Sequence, residues 1–135
     1  MERRSDLCEK LIDLSQKHLK PVYSDKLELE VRDVSGNSNP VYLVNVKDCA
    51  DENNKIIIKF FQSFASNCKN ENLVQSIADQ QKYCPSMIET DNETYRVEEY
   101  YHSQNANCED LRDRDFLEKL TRIICDFNYD PKFHN

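Results

Sequence analysis

Gly36-Asn37-Ser38-Asn39-Pro40-Val41-Tyr42-Leu43-Val44-Asn45-Val46, followed after a polar loop by Ile56-Ile57-Ile58-Lys59-Phe60-Phe61, decides how this chain is read. The first run is a glycine turn that opens into a strand of β-branched and aromatic residues, Val41 to Val46. The second, Lys55 to Phe61, is an apolar strand interrupted by one lysine. Between them, Asp48-Cys49-Ala50-Asp51-Glu52-Asn53-Asn54 has the composition of a turn, so the two strands form a hairpin. Upstream, the stretch from Lys26 alternates, with Leu27, Leu29 and Val31 on one side and charged residues on the other. It ends at the Gly36 turn and completes a three-strand meander.

Two further strands, Met87 to Thr90 and Thr94 to Tyr101, flank Asp91-Asn92-Glu93, whose residues tolerate positive φ and suit a hairpin turn. Helical spacing appears three times. Asp6 to Leu19 carries Leu7, Leu11 and Leu14 with Ile12 alongside, has Ser5 or Asp6 as N-cap and meets Pro21 just beyond. Asn70 to Lys82 predicts a helix with Leu73, Val74, Ile77 and Ala78 as its inward stripe and Pro85 as its stop. The last helix runs from Leu111 or Asp113 to Phe127, started by Cys108-Glu109-Asp110 and broken at Pro131. The expected fold is α+β: a five-stranded antiparallel sheet with packed helices in one domain.

The composition, 39% hydrophobic and 10% aromatic over 135 residues, suffices for a modest single core. A net charge of -7 and the lack of any basic run beyond Arg3-Arg4 argue against nucleic acid as a partner. No apolar run approaches the roughly 20 residues of a membrane span, and the polar start Met1 to Asp6 leads into no signal core, so a soluble cytoplasmic protein is expected. The six cysteines are scattered, with no Cys-x-x-Cys and no histidine at finger spacing, which favours free thiols over disulfides or structural zinc.

Lys59 shares a strand face with Ile57 and Phe61, while Ile56, Ile58 and Phe60 occupy the other. Read alone, it is either a lysine laying its stem across the sheet or a mobile cation suited to phosphate oxygens. Glu71, near a helix start, is either an acid favoured by the helix dipole or the partner that holds Lys59 charged and aimed. Gly36, the sole glycine, either supplies positive φ or opens a turn whose amides, with Ser38 and Asn39, close over phosphates.

Taken together these positions resemble the choline and ethanolamine kinase family, which has a variant of the protein-kinase fold. The family's nucleotide loop, Gly-x-Ser/Thr-Asn-x-x-Tyr/Phe-x-Val, matches Gly36 to Val44 in register. Its third strand, three apolar residues, Arg or Lys and an aromatic, is similar to Ile56 to Phe61, and its helix acid falls on Glu71. Cys84-Pro85-Ser86-Met87-Ile88 looks like the family's Ala/Gly-Pro-x-Leu-Tyr, and Arg96-Val97-Glu98-Glu99-Tyr100-Tyr101 is similar to its hinge strand. Gln62 departs from a family glycine, and the single-glycine turn is closer to ethanolamine kinases.

The resemblance implies a protein-kinase-like N-terminal lobe in which Gly36, Asn37, Ser38 and Asn39 cover phosphates. Lys59 grips them, Glu71 orients Lys59, and Glu99, Tyr100 and Tyr101 flank adenine. ATP and Mg2+ would be the cofactors of the complete enzyme. The similarity runs from about Leu11 to Asn128, and no His-x-Asp loop occurs, so this chain is expected to contain no catalytic residue and no metal ligand and to be inactive alone. Asp126 in Ile124-Cys125-Asp126-Phe127-Asn128-Tyr129 imitates the family's metal site, but the helical stripe Phe116 to Phe127 makes it an exposed helix residue. The partners implied are a nucleotide, weakly held, and either a C-terminal lobe or a protein covering the cleft face. The alternative is an inactive, kinase-derived interaction module within a larger assembly.

Overall fold

The computed structural model describes residues 4–21, 28–36, 39–61, 68–80, 82–102 and 106–133. They fall into two units, Met1–Tyr101 and His102–Asn135. The first unit contains helix α1 (Arg4–His18), strands β1 (Leu29–Asp33), β2 (Val41–Val46) and β3 (Lys55–Phe60), helix α2 (Cys68–Gln80) and strands β4 (Met87–Thr90) and β5 (Tyr95–Glu99). Its sheet is antiparallel throughout, in the order β1-β2-β3-β5-β4, as the alternation in the sequence predicts.

Strand alternation sorts the side chains into two unlike faces. On one, Val44, Val46, Ile56, Ile58, Phe60, Tyr95 and Val97 are buried against Leu11, Leu14 and Leu19 of the α1 segment, and this is the core. α1 starts at Arg4, so Ser5 and Asp6 lie inside its first turn rather than capping it, and there Asp6 complements the helix dipole. Ile12, one position round from Leu11, is exposed. Leu29 packs on the margin of the core and Val31 is exposed, because β1 is an edge strand; Lys26 and Leu27 lie outside the described residues.

Side chains fasten the connections. At the β1–β2 turn the Ser35 hydroxyl accepts from the Val41 N–H at 2.8 Å, and the Asp33 carboxylate accepts from the Ser35 N–H at 2.8 Å. Between β2 and β3, Asn54 grips the chain leaving α1, donating to the Lys20 carbonyl at 2.8 Å and accepting its N–H at 3.0 Å. The β4–β5 turn closes on Asp91, whose carboxylate accepts from the N–H groups of Glu93, Thr94 and Tyr95, with Asn92 at φ 62°. Glu89 of β4 pairs with Lys17 of α1 and accepts from the Tyr95 hydroxyl at 3.2 Å.

α2 keeps one end of the expected stripe, with Ala78 buried and Ile77 half-buried, and departs from it at Leu73 and Val74. Its buried residues are Cys68, Asn72 and Ala78, whereas Leu73 and Val74 are 61% and 48% exposed. The side-chain amide of Asn72 donates to Thr90 Oγ1 at 2.9 Å and to Asn92 Oδ1 at 3.1 Å. These bonds face Asn72 to the β4–β5 hairpin alongside buried Cys68 and Ala78 and leave Leu73 and Val74 on the outer side. It also ends before Pro85: Lys82 turns left-handed at φ 61°, its N–H bonds to the Asp79 carbonyl and that of Tyr83 to the Ala78 carbonyl, a Schellman closure without glycine.

In the second unit a short 3-10 turn, Asp110–Arg112, precedes α3 (Arg114–Tyr129). The cap of α3 is Asp113, which accepts from the Phe116 N–H at 3.2 Å, so Cys108 to Asp110 do not start this helix. After it, the turn Pro131–Phe133 brings the Phe133 ring to 4.6 Å from that of Phe127. Leu117, Ile123 and Ile124 of α3 are exposed, and so is Asp126.

Candidate functional site

The sheet face opposite the core carries Val41 and Leu43 of β2, Ile57 and Lys59 of β3, and Arg96 and Glu98 of β5, in register across the strands. Lys59 stands beside Val41 on one side and Arg96 on the other. Its Nζ donates to Glu71 Oε1 at 2.5 Å, so the pair expected from the sequence forms between β3 and the first turn of α2. Partial burial pushes the Glu71 carboxyl up, but the hydrogen bond and charge of Lys59, with Arg96 behind it, outweigh this and hold it below its ordinary value.

Arg96 is the most enclosed charge here, 5% exposed. Each guanidinium nitrogen has its own acceptor: Nε donates to Glu98 Oε1 at 2.5 Å, Nη1 to Asn72 Oδ1 at 3.0 Å and Nη2 to Glu71 Oε1 at 3.3 Å. Lys59 Nζ and Arg96 Cζ lie 5.0 and 5.4 Å from the centroid of the Phe61 ring, which attracts both cations. Two cations and two carboxylates thus share one half-enclosed patch.

The remaining expected residues flank it. Asn39 is buried, and the Phe60 N–H donates to the Pro40 carbonyl at 2.9 Å, which seats the outgoing end of the glycine turn next to Lys59. Gly36 does not adopt positive φ, and a Cβ there would meet nothing within 4 Å, so neither backbone conformation nor crowding requires glycine at this turn. Asn37 and Ser38 lie outside the described residues. Glu99, Tyr100 and Tyr101 lie towards the other end of β3, Glu99 opposite Ile56. The Glu99 N–H is engaged with the Ser86 carbonyl at 3.0 Å, Tyr100 lies under the Lys55 ammonium at 5.3 Å, and the Tyr101 side chain is exposed. Between the two groups, half-buried Val41, Leu43 and Ile57 form an apolar strip.

No protein-family model matches the chain, and no curated protein matches it. Among solved structures it is similar to a choline kinase from Cryptosporidium parvum Iowa II, with a TM-score of 0.58 and 18% identity over 77% of this chain. The fold is choline-kinase-like. The chain spans 29% of the length of that choline kinase. No helix among the described residues is long and apolar enough to cross a membrane.

Within this choline-kinase-like fold, sequence reasoning missed Arg96, Glu98 and Asn72 as members of the charged patch. Arg96 carried a signal, since it alternates with Tyr95 and Val97 on a strand whose neighbours are buried. What was lacking was the pairing of β5 with β3, which places it opposite Lys59.

Proposed function

We propose that this chain is the nucleotide-binding lobe of a choline/ethanolamine-kinase-like protein. The observation that carries this reading is the Lys59–Glu71 pair, a cation aimed by a helix acid beside the end of the glycine turn. The ammonium is the group that would meet phosphate, the turn 36–39 would lie over it, and the strip Val41, Leu43 and Ile57 offers an apolar surface to a base on the way to Glu99, Tyr100 and Tyr101. The complete enzyme would move the γ-phosphoryl group of ATP to the hydroxyl oxygen of choline or ethanolamine, leaving ADP and a phosphoester. Magnesium would be the second cofactor of the complete enzyme, and no residue of this chain is proposed as its ligand. A residue to take up the substrate hydroxyl proton is not assigned in this chain, which would therefore not turn over alone.

Calorimetric titration with ATP and magnesium tests this. The expected dissociation constant is no tighter than roughly millimolar, equivalent to about 4 kcal/mol, because much of the stabilisation a closed cleft provides is missing. Lys59→Ala should abolish the signal. Micromolar binding that survives this substitution would overturn the site assignment.

A second reading, a non-catalytic interaction module, is favoured by the exposed Leu117, Ile123 and Ile124 of α3 and Leu73 and Val74 of α2. Under that reading ATP leaves the amide spectrum unchanged, while Leu117→Lys or Val74→Lys disrupts an assembly measured by sedimentation.

A further inference from the structure

β1 ends the sheet, and among the described residues no strand pairs with its outer side. Its register with β2 is unbroken from Leu29 to Asp33, and it contains neither proline nor lysine, so common devices that spoil an open edge are missing. Hydrogen-bond parity fixes which backbone groups face outward. The Lys47 N–H donates to the Glu28 carbonyl at 2.8 Å and the Val34 N–H to the Val41 carbonyl at 2.9 Å, so the even-numbered residues bond to β2. The N–H and C=O groups of Leu29, Val31 and Asp33 therefore point away from it. Val31 is 49% exposed, Glu30 and Arg32 are exposed, and Arg32 has no partner among the described residues.

Two copies of one edge related by a two-fold axis run antiparallel. With the outward parity of β1, that axis passes through Glu30, Val31 or Arg32. Centred on Glu30 or Arg32, it sets like charges opposite each other. Centred on Val31, it sets Glu30 of each copy opposite Arg32 of the other. That register makes Val31–Val31 and Leu29–Asp33 the hydrogen-bonded pairs, and Glu30–Arg32 the pair whose side chains come closest, with Cα atoms about 4.5 Å apart.

We propose that the β1 edge joins two copies of this chain into one continuous antiparallel sheet, centred on Val31 and pairing Glu30 with Arg32 of the second copy. The two Val31 side chains, on the core side of the sheet with Val44, meet at the axis. The edge is five residues long, so the dimer is reversible, with a dissociation constant on the order of 10–100 µM. None of these residues enters the nucleotide reading, and the test uses no nucleotide.

Sedimentation velocity on the 135-residue chain, from about tenfold below to about tenfold above that constant, should show monomer passing to dimer. Arg32→Glu sets acid against acid on both sides of the axis and should weaken association about fivefold or more; adding Glu30→Arg should restore it. Val31→Pro removes an outward N–H that the β1–β2 ladder does not use, so that chain should fold and stay monomeric. A wild-type chain that is monomeric throughout the range overturns the proposal. So does a dimer indifferent to Arg32→Glu, which would lie on another face, or one that the exchange of charges fails to restore. A folded Val31→Pro chain that still dimerises overturns it as well, and if that variant does not fold the charge series decides.

Discussion

Lys59 of β3 and Arg96 of β5 stand opposite each other in register, and both reach the same carboxylate oxygen of Glu71. Two strands far apart in sequence thereby share one acceptor atom on a helix. The arrangement joins the question of what binds here to the question of what holds α2 against the sheet.

The first consequence concerns Asn72. It is buried, donates to Thr90 and Asn92 and accepts from Arg96, so Asn72→Ala takes one hydrogen-bond partner from each of the two hairpin side chains and leaves guanidinium Nη1 without its acceptor. Urea unfolding should show a loss of about 1–3 kcal/mol. Leu73→Ala, next to it but exposed, should stay within about 0.5 kcal/mol of the wild type. Equal losses at the two positions would contradict the observed rotation of α2.

Acid should weaken the fold through three carboxyls. The hydrogen bond from Lys17 lowers Glu89; burial raises Glu71 and Asp91, but Lys59 and Arg96 in one case, and Thr94 and neighbouring backbone N–H groups in the other, bring both below their ordinary values. Each group is thus a stronger acid folded than unfolded, and the folded chain binds fewer protons. Their contribution is complete above the unfolded values of 4.5 for Glu and 3.8 for Asp, and is lost as pH falls through the lower folded ones. The urea midpoint should therefore fall below about pH 4.5, with a shallower fall in Asp91→Asn. A midpoint that rises on acidification in that window would refute this.

Thiol labelling should sort the cysteines. Burial raises both Cys68 and Cys84, so their thiolates are scarce near neutral pH, while Cys8, Cys108 and Cys125 are exposed. With a maleimide reagent, followed by mass spectrometry, the exposed three should react first and Cys68 last. Early modification of Cys68 in the folded chain would mean that the first turn of α2 is not seated as described.

Much of this fold is written locally. Alternation in Val41 to Val46 and Lys55 to Phe60 marks both strands and assigns Ile56, Ile58 and Phe60 to the core, and Asp91-Asn92-Glu93 announces its own turn. The residues alone leave the Lys59–Glu71 pair as one of two readings and the resemblance selects it, because nothing in either segment states that they meet. Two features were illegible for definite reasons. Hydrophobic periodicity assumes that a helix turns its apolar side inwards, and α2 instead faces Asn72 to the hairpin. Arg96 joins the site only because β5 lies between β3 and β4, an order that no single strand encodes.

The left-handed corners at Asp48, Lys82 and Asn92 are turned without glycine. Such a residue carries strain of roughly 1 kcal/mol when folded, less for Asp or Asn. A side chain at these corners also narrows the wandering of the unfolded chain, an advantage of about 0.4–1 kcal/mol over glycine that acts in the opposite direction. For Asp and Asn the two effects come close to offsetting each other, whereas at Lys82 the strain is the larger, so backbone conformation exerts little pull only at positions 48 and 92. At position 92 that leaves the choice to the side chain, whose oxygen takes a hydrogen from Asn72.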